Sequence, residues 1–226
     1  MAFYEEVLLP YGETNLTMRV RELPMADGVH GSTGNQHWPS GTVLARLLLE
    51  QPHLVQGRCV VDLGAGCGLA GLAAAAIGAK QVVLTDGDDE TLQNLEHNVA
   101  NSGSDQVRVR LLRWQDAATW DHSEQGDLVI SSDTVFGHFG GALASCALQV
   151  LKPKGLMILV APEDRRAGVP EFLSCMREAG YSEMARRVEE AGEAFWIYEL
   201  CKSGPLDPRQ PQNPAAEHAQ AGTQRN

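Results

Sequence analysis

Four short runs of branched apolar residues punctuate the chain: CVVDLG (59–64), QVVLTD (81–86), DLVISSD (127–133) and LMILVAP (156–162). They are continuous rather than alternating, the pattern of strands buried on both faces of a parallel sheet. Between the first two lies GLAGLAAAAIGA (68–79), whose alanines allow close helix-to-sheet packing and whose Gly78 is a helix stop. After the second, DDETLQNLEHNVANSG (88–103) predicts a helix with Leu92, Leu95 and Val99 on one face. Its acids sit at the N-terminal end, where the helix dipole favours them. VRVRLLRW (107–114) alternates instead, Arg108 and Arg110 opposite Val107, Val109 and Leu111, which predicts a strand with one solvated face near a sheet edge.

Strands separated by helices imply right-handed crossovers and a doubly wound, mostly parallel α/β sheet. The C-terminal part breaks that rhythm. EMARRVEE (183–190) and EAFWIYELCK (193–202) are joined by a link too short for a crossover helix, so they must pair antiparallel. Upstream, YEEVLLPYGETNLTMRVREL (4–23) reads as a hairpin, 25–37 as a Gly-rich lid loop, and PSGTVLARLLLE (39–50) as a helix that Ser40 or Thr42 could cap. The segment from Ser203 is rich in Pro, Gln and Ala and reads as a disordered tail. The expected division is therefore 1–37 hairpin and lid loop, 38–202 folded domain, 203–226 tail.

Composition narrows the class. With 226 residues, 43% of them apolar, the chain can bury a core in a single domain. Eighteen Lys and Arg against 29 Asp and Glu give a net charge of −11, a field that repels polyphosphate and argues against nucleic acid as a substrate. Five cysteines form no C-x-x-C pair and leave an odd number, which fits reduced thiols in the cytoplasm, with the nucleus also open. Seven histidines form no metal-ligand spacing, no apolar run reaches membrane length, and the N-terminus lacks the basic start of a signal peptide. A monomer is expected.

The candidate chemistry centres on DLGAGCGLAG (62–71). Gly66, Gly68 and Gly71 fit the G-x-G-x-x-G of dinucleotide enzymes, while Asp62, Gly64, Gly66 and Gly68 fit the acid-x-G-x-G-x-G of S-adenosylmethionine-dependent methyltransferases. In an open α/β sheet the ligand lies beyond the carboxyl ends of the central strands. Asp86 ends the second strand twenty residues after Gly66 and can accept from two ribose hydroxyls in either class, or cap the following helix. Trp114 could flank an adenine ring or fill the core. Tyr198 and Lys202 have the spacing of a short-chain dehydrogenase pair, but that pair needs a helix and this segment reads as a strand. The antiparallel finish favours the methyl donor over a dinucleotide.

Four separated blocks then bring a family into view. GNQHWPSGTVLARLL (34–48) looks like the W-P block of methyltransferase family 16, with His37 where an aliphatic residue is usual. VVDLGAGCGLAGLAAAAIGAKQVVLTD (60–86) is close to its glycine-loop block. LEHNVANS (95–102) with RLLRWQD (110–116) is similar to its N-V-x-x-N and L-x-W blocks, and LVISSDTVF (128–136) sits where the family has aspartate-x-x-tyrosine. The chain thus resembles the seven-stranded protein methyltransferases of that family from Gly34 to about Lys202. The resemblance implies S-adenosylmethionine as cofactor and lysine of a protein substrate, basic or presenting a lysine-bearing loop, as acceptor. By it, Trp38 contacts the donor from the lid, Gly64, Ala65 and Gly66 line its methionine side, and Asp62 orients the loop or the donor's amino group. Asp86 takes the ribose, Trp114 the adenine, and Ser132 the neighbouring backbone. Asp133 faces the acceptor amine. Phe136 stands where the family usually has tyrosine, which keeps an aromatic wall for a cation but removes a hydroxyl. A small-molecule methyltransferase with the same donor site, and a donor-binding module with little or no catalysis, are the competing readings.

Overall fold

In the computed structural model, residues 2–24, 33–121, 123–164 and 167–202 are described. The lid-loop residues 25–32 and the expected tail (203–226) lie outside them. The buried apolar runs become the middle of one seven-stranded sheet: β3 (Cys59–Leu63), β4 (Gln81–Asp86), β6 (Gly126–Ser132) and β7 (Leu151–Pro162). β5 (Val107–Leu111) is one edge, and β8 (Tyr181–Glu190) with β9 (Glu193–Lys202) closes the other, in the order β5-β4-β3-β6-β7-β9-β8. The first five run parallel and β9 turns antiparallel against β7 and β8. The β8–β9 turn is made by Ala191 (φ 50°) and Gly192 (φ 83°), both left-handed, the geometry that matches the twist of a two-residue hairpin.

The strand period of two divides the core. Val60, Leu84 and Ile130 face one side with α1 (Pro39–Glu50), α2 (Leu69–Ala76) and Leu95 of α3 (Asp89–Ser102). Val61, Val83 and Val129 face the other with α4 (Gly140–Val150) and α5 (Val169–Glu178). The N-terminal hairpin, β1 (Phe3–Tyr11) and β2 (Thr14–Glu22), forms its own two-stranded sheet and buries Val7, Leu9, Met18 and Val20 in the first of these cores.

Three local expectations need correction. Neither Ser40 nor Thr42 caps α1: its N-cap is Trp38, with no side-chain bond, because Pro39 at the first helical position removes one unsatisfied N–H. Asp88, not Asp86, caps α3, accepting from Thr91 N–H at 2.7 Å, which leaves Asp86 to the site. The buried face of α3 is Thr91, Asn94, Leu95 and Asn98, rotated from the Leu92–Leu95–Val99 face because α3 packs against polar main chain of β2 as well as the sheet. α5 packs on α4, where a Cβ on Gly140 would lie 2.2 Å from the Gly168 carbonyl. Tyr198 and Lys202 do lie on a strand, β9, four residues apart and so more than a dozen ångströms along it.

Candidate active site

The carboxyl ends of β3, β4 and β6 converge at the place where the strand order reverses, and the loops leaving them enclose a cavity of about 570 Å³. The first wall is the glycine loop. Gly64 (φ 72°) and Gly66 (φ 56°) are left-handed. A Cβ on Gly64 would lie 2.6 Å from Thr134 Cγ2 and 3.0 Å from Trp114 Cζ2, and one on Gly66 would lie 3.0 Å from the Gly34 carbonyl. Both positions need glycine for conformation and for close approach. Ala65 N–H donates to the Thr85 carbonyl at 2.8 Å, tying the loop to β4.

Two carboxyls sit beneath that loop. Asp62 is buried and accepts from the Gly71 N–H in the first turn of α2; burial, with Asp86 adding, pushes its pKa up to about 7. Asp86 Oδ1 accepts from Gly87 N–H at 2.8 Å and Asp88 N–H at 3.2 Å, and Oδ2 from Gly66 N–H at 3.2 Å. Burial still raises the Asp86 pKa despite these three bonds. Each oxygen carries two lone pairs, so Oδ2 keeps acceptor capacity for a ligand hydroxyl. A desolvated carboxylate of this kind is favoured by a ligand that brings donors or positive charge.

The opposite wall comes from the end of β6. Asp133 is a non-glycine residue at φ 60°, and its N–H donates to the Val160 carbonyl at 3.0 Å, extending the β6–β7 ladder by one step. The hydroxyls on either side hold this turn: Ser131 Oγ donates to the Leu63 carbonyl at 2.7 Å and lies 2.7 Å from Thr134 Oγ1. Strain of this kind at a cavity wall is kept only where the surroundings over-determine it. Phe136 is 44% exposed and meets Phe139 edge-on at 5.3 Å between centroids. Trp38 is exposed as well, its indole N–H held by the Thr33 carbonyl at 2.9 Å.

All ten residues named from the sequence line this one cavity: Trp38, Asp62, Gly64, Ala65, Gly66, Asp86, Trp114, Ser132, Asp133 and Phe136. Sequence reasoning missed Thr134 and Phe139, and noted His37 only as a departure; all three also line it. Phe139 had a signal in its spacing three residues after Phe136. Thr134 had none, since its role depends on Gly64 being beside it. His37 Nε2 pairs with Thr42 Oγ1 at 2.8 Å and its main-chain N–H donates to Glu22 Oε2 at 3.0 Å. Burial lowers its imidazole pKa, with Glu22 opposing. Among the described residues no group of three or more His, Cys, Asp and Glu is placed to hold a metal ion.

Comparison with known proteins bears on the chemistry. A family model described as lysine methyltransferase, methyltransferase family 16, matches residues 18–179. A calmodulin-lysine N-methyltransferase of Arabidopsis thaliana is 36% identical over 123 residues, covering 52% of this chain and 40% of that protein. A protein N-terminal and lysine N-methyltransferase, EFM7, of Yarrowia lipolytica is 34% identical over 171 residues, 65% of this chain and 63% of that protein. The match thus spans less than two thirds of these relatives' lengths. Among solved structures, TrmN of Thermus thermophilus aligns with a TM-score of 0.59 at 24% identity over 71% of this chain and 48% of its own. SMU.776, a methyltransferase solved with SAH, aligns with 0.61 at 14% identity over 87% and 56%. At these identities the structural likeness speaks to the fold.

Proposed function

The chain belongs to the lysine methyltransferases of family 16, and from that membership we propose that it is an S-adenosylmethionine-dependent protein N-methyltransferase acting on a lysine side chain. The observation that carries the reading is the convergence, in one cavity, of a close-approach glycine loop, a desolvated carboxylate with acceptor capacity to spare, and a strained aspartate facing them.

The bound donor supplies a sulfonium methyl open to in-line attack by an amine. Gly64 and Gly66 let the backbone approach its methionine side, Asp62 meets its ammonium, and Asp86 accepts from its ribose diol. Trp114, packed on Gly64, flanks the adenine, and Trp38 closes the donor from the N-terminal side. Asp133 binds and orients the acceptor amine, with Phe136 and Phe139 as the aromatic wall toward a cation. A lysine of pKa about 10.4 is neutral only about 0.1% of the time near pH ~7.4, a handicap of roughly 4 kcal/mol. Near-attack positioning supplies roughly 7–11 kcal/mol, so orientation outweighs deprotonation and no strong base is needed. Asp133 would stabilise the charged amine, so the proton leaves to water before attack.

The partner is a protein presenting a lysine-bearing, preferably basic, loop to a chain of net charge −11. A monomer acting in the cytoplasm completes the proposal. Incubating the purified protein with radiolabelled donor and cell extract tests it. A labelled protein band supports the reading; label only in small molecules transfers it to the small-molecule class; donor binding without transfer reduces it to a binding module. Asp133→Ala should keep donor affinity and lose turnover about 100-fold, the scale of a misplaced reactant. Unchanged turnover would remove Asp133 from the acceptor site.

A further inference from the structure

The N-terminal hairpin reaches the glycine loop through two buried amides that the chemistry above does not use. Asn98 Oδ1 accepts the main-chain N–H of Arg21 on β2 at 2.8 Å, and its Nδ2 donates to the Arg21 carbonyl at 3.2 Å. The side chain therefore pairs with β2 as a neighbouring strand residue would. The same Nδ2 donates to the carbonyl of Cys67, inside the glycine loop, at 3.0 Å. One turn earlier, Asn94 Oδ1 accepts from Arg21 Nε at 2.7 Å and its Nδ2 donates to the Arg21 carbonyl at 2.9 Å. A third link joins the same loop to the connection after the hairpin, where Cys67 Sγ lies 3.7 Å from the Gly34 carbonyl.

These amides are a costly choice for a helix face that only needs to pack. Asparagine is a poor helix former, and a buried amide is tolerated only with its partners in place. Both are buried, and both bond the main or side chain of a single hairpin residue and also reach Cys67 of the loop, Asn98 at its carbonyl and Asn94 at its Sγ, 3.9 Å away. A leucine would fill the space but could not define which residue of β2 sits against Cys67. Directional bonds to two different segments fix the position of one relative to the other.

We propose that Asn98, supported by Asn94, is a positioning residue that fastens the N-terminal hairpin to the donor loop, so that hairpin order and donor affinity are coupled. The coupling rests on the donor reading of the cavity given above. It is reciprocal: a donor that tightens the glycine loop steadies the hairpin, and loosening the hairpin weakens the donor. The hairpin then serves as a sensor of donor occupancy.

Hydrogen exchange on the full chain, with and without S-adenosylhomocysteine, tests this. In the wild-type protein the ligand should slow exchange in 14–22 as well as in 64–70. In Asn98→Leu, which keeps volume, the ligand should still slow 64–70 but no longer 14–22, its Kd should rise about tenfold as expected for two buried groups left unpaired, and the donor KM should rise while kcat holds. Ligand protection confined to 64–70 in the wild type, or an unchanged Kd and pattern in Asn98→Leu, overturns the proposal. Should Asn98→Leu fail to fold, Arg21→Ala removes the guanidinium bond to Asn94 Oδ1 while keeping the main-chain bonds to both amides, and should act in the same direction, about threefold in Kd; no change in either readout overturns it. Absence of wild-type binding would sink the donor reading instead. The fastening is then judged without ligand, where Asn98→Leu must speed exchange in 14–22 and 64–70 together, and acceleration in the hairpin alone refutes it.

Discussion

Replacing Asp62 by asparagine should stabilise the ligand-free protein while weakening its grip on the donor. The Asp62 carboxyl is 2% exposed, and its pKa is pushed from 3.8 up to about 7, first by burial and further by Asp86, against the pull of the Gly71 N–H. Between those two values the folded chain holds a proton that the unfolded chain has lost. Stability therefore falls as pH rises through the window from about 4 to about 7 and levels off above it. A carboxyl pKa moved from 3.8 to about 7, at ~1.36 kcal/mol per tenfold change in proton affinity, is a loss of about 4 kcal/mol at pH ~8. Asparagine has the same shape, carries no charge, and its Oδ1 accepts from Gly71 as the carboxylate does. Urea unfolding of both proteins between pH ~4 and ~8 should show the variant more stable by up to about 4 kcal/mol at the upper end and within about 1 kcal/mol at the lower. Burial of Asp86 tilts both curves in the same direction, and their difference reports Asp62 together with its coupling to Asp86. On the donor side, an ammonium meeting Asp62 favours the ionised form. Wild-type affinity for S-adenosylhomocysteine should weaken as pH falls below about 7, up to tenfold per unit, while the variant binds weakly with no such dependence. A variant that is less stable at high pH, or that follows the wild-type stability curve in parallel, would refute the reasoning.

Gly64→Ala combines a left-handed φ of 72° with a Cβ 2.6 Å from Thr134 Cγ2, and should lose about 2–4 kcal/mol in thermal or urea unfolding together with measurable donor binding. Ala191→Gly relieves the positive φ of 50° in the β8–β9 turn, whose residues do not line the cavity, and should raise Tm by about 1–4 °C with unchanged turnover.

The part of the cavity around the glycine loop was legible because its signals are local. Gly64 and Gly66 announce a backbone that something must approach, Asp86 stands at a strand's carboxyl end, and a doubly wound sheet brings such ends together. Family resemblance added what spacing alone leaves open: Trp38 from the N-terminal side, Trp114 against the glycine loop, and Asp133 on the far wall. The misses share a cause. The buried face of α3 was sought among its apolar residues, but Asn94 and Asn98 are buried because their partners are main-chain groups of a hairpin, and hydropathy assigns amides to solvent. The cap of α1 went astray in the same way, since Pro39 lowers the number of N–H groups a side chain has to satisfy.

By itself the chain determined its strands, its crossovers, its antiparallel finish and the residue types that line the cavity at the strand ends. Period, glycine placement and turn residues act over a few neighbours, and a linear reading contains them. Only tertiary structure decided that Thr134 packs on Gly64, that α5 lies against α4, and that Asn98 joins Arg21, 77 residues away, to Cys67. Such contacts are specified by shape and by the bonding needs of groups already buried, and those needs arise only once the sheet has brought distant segments together.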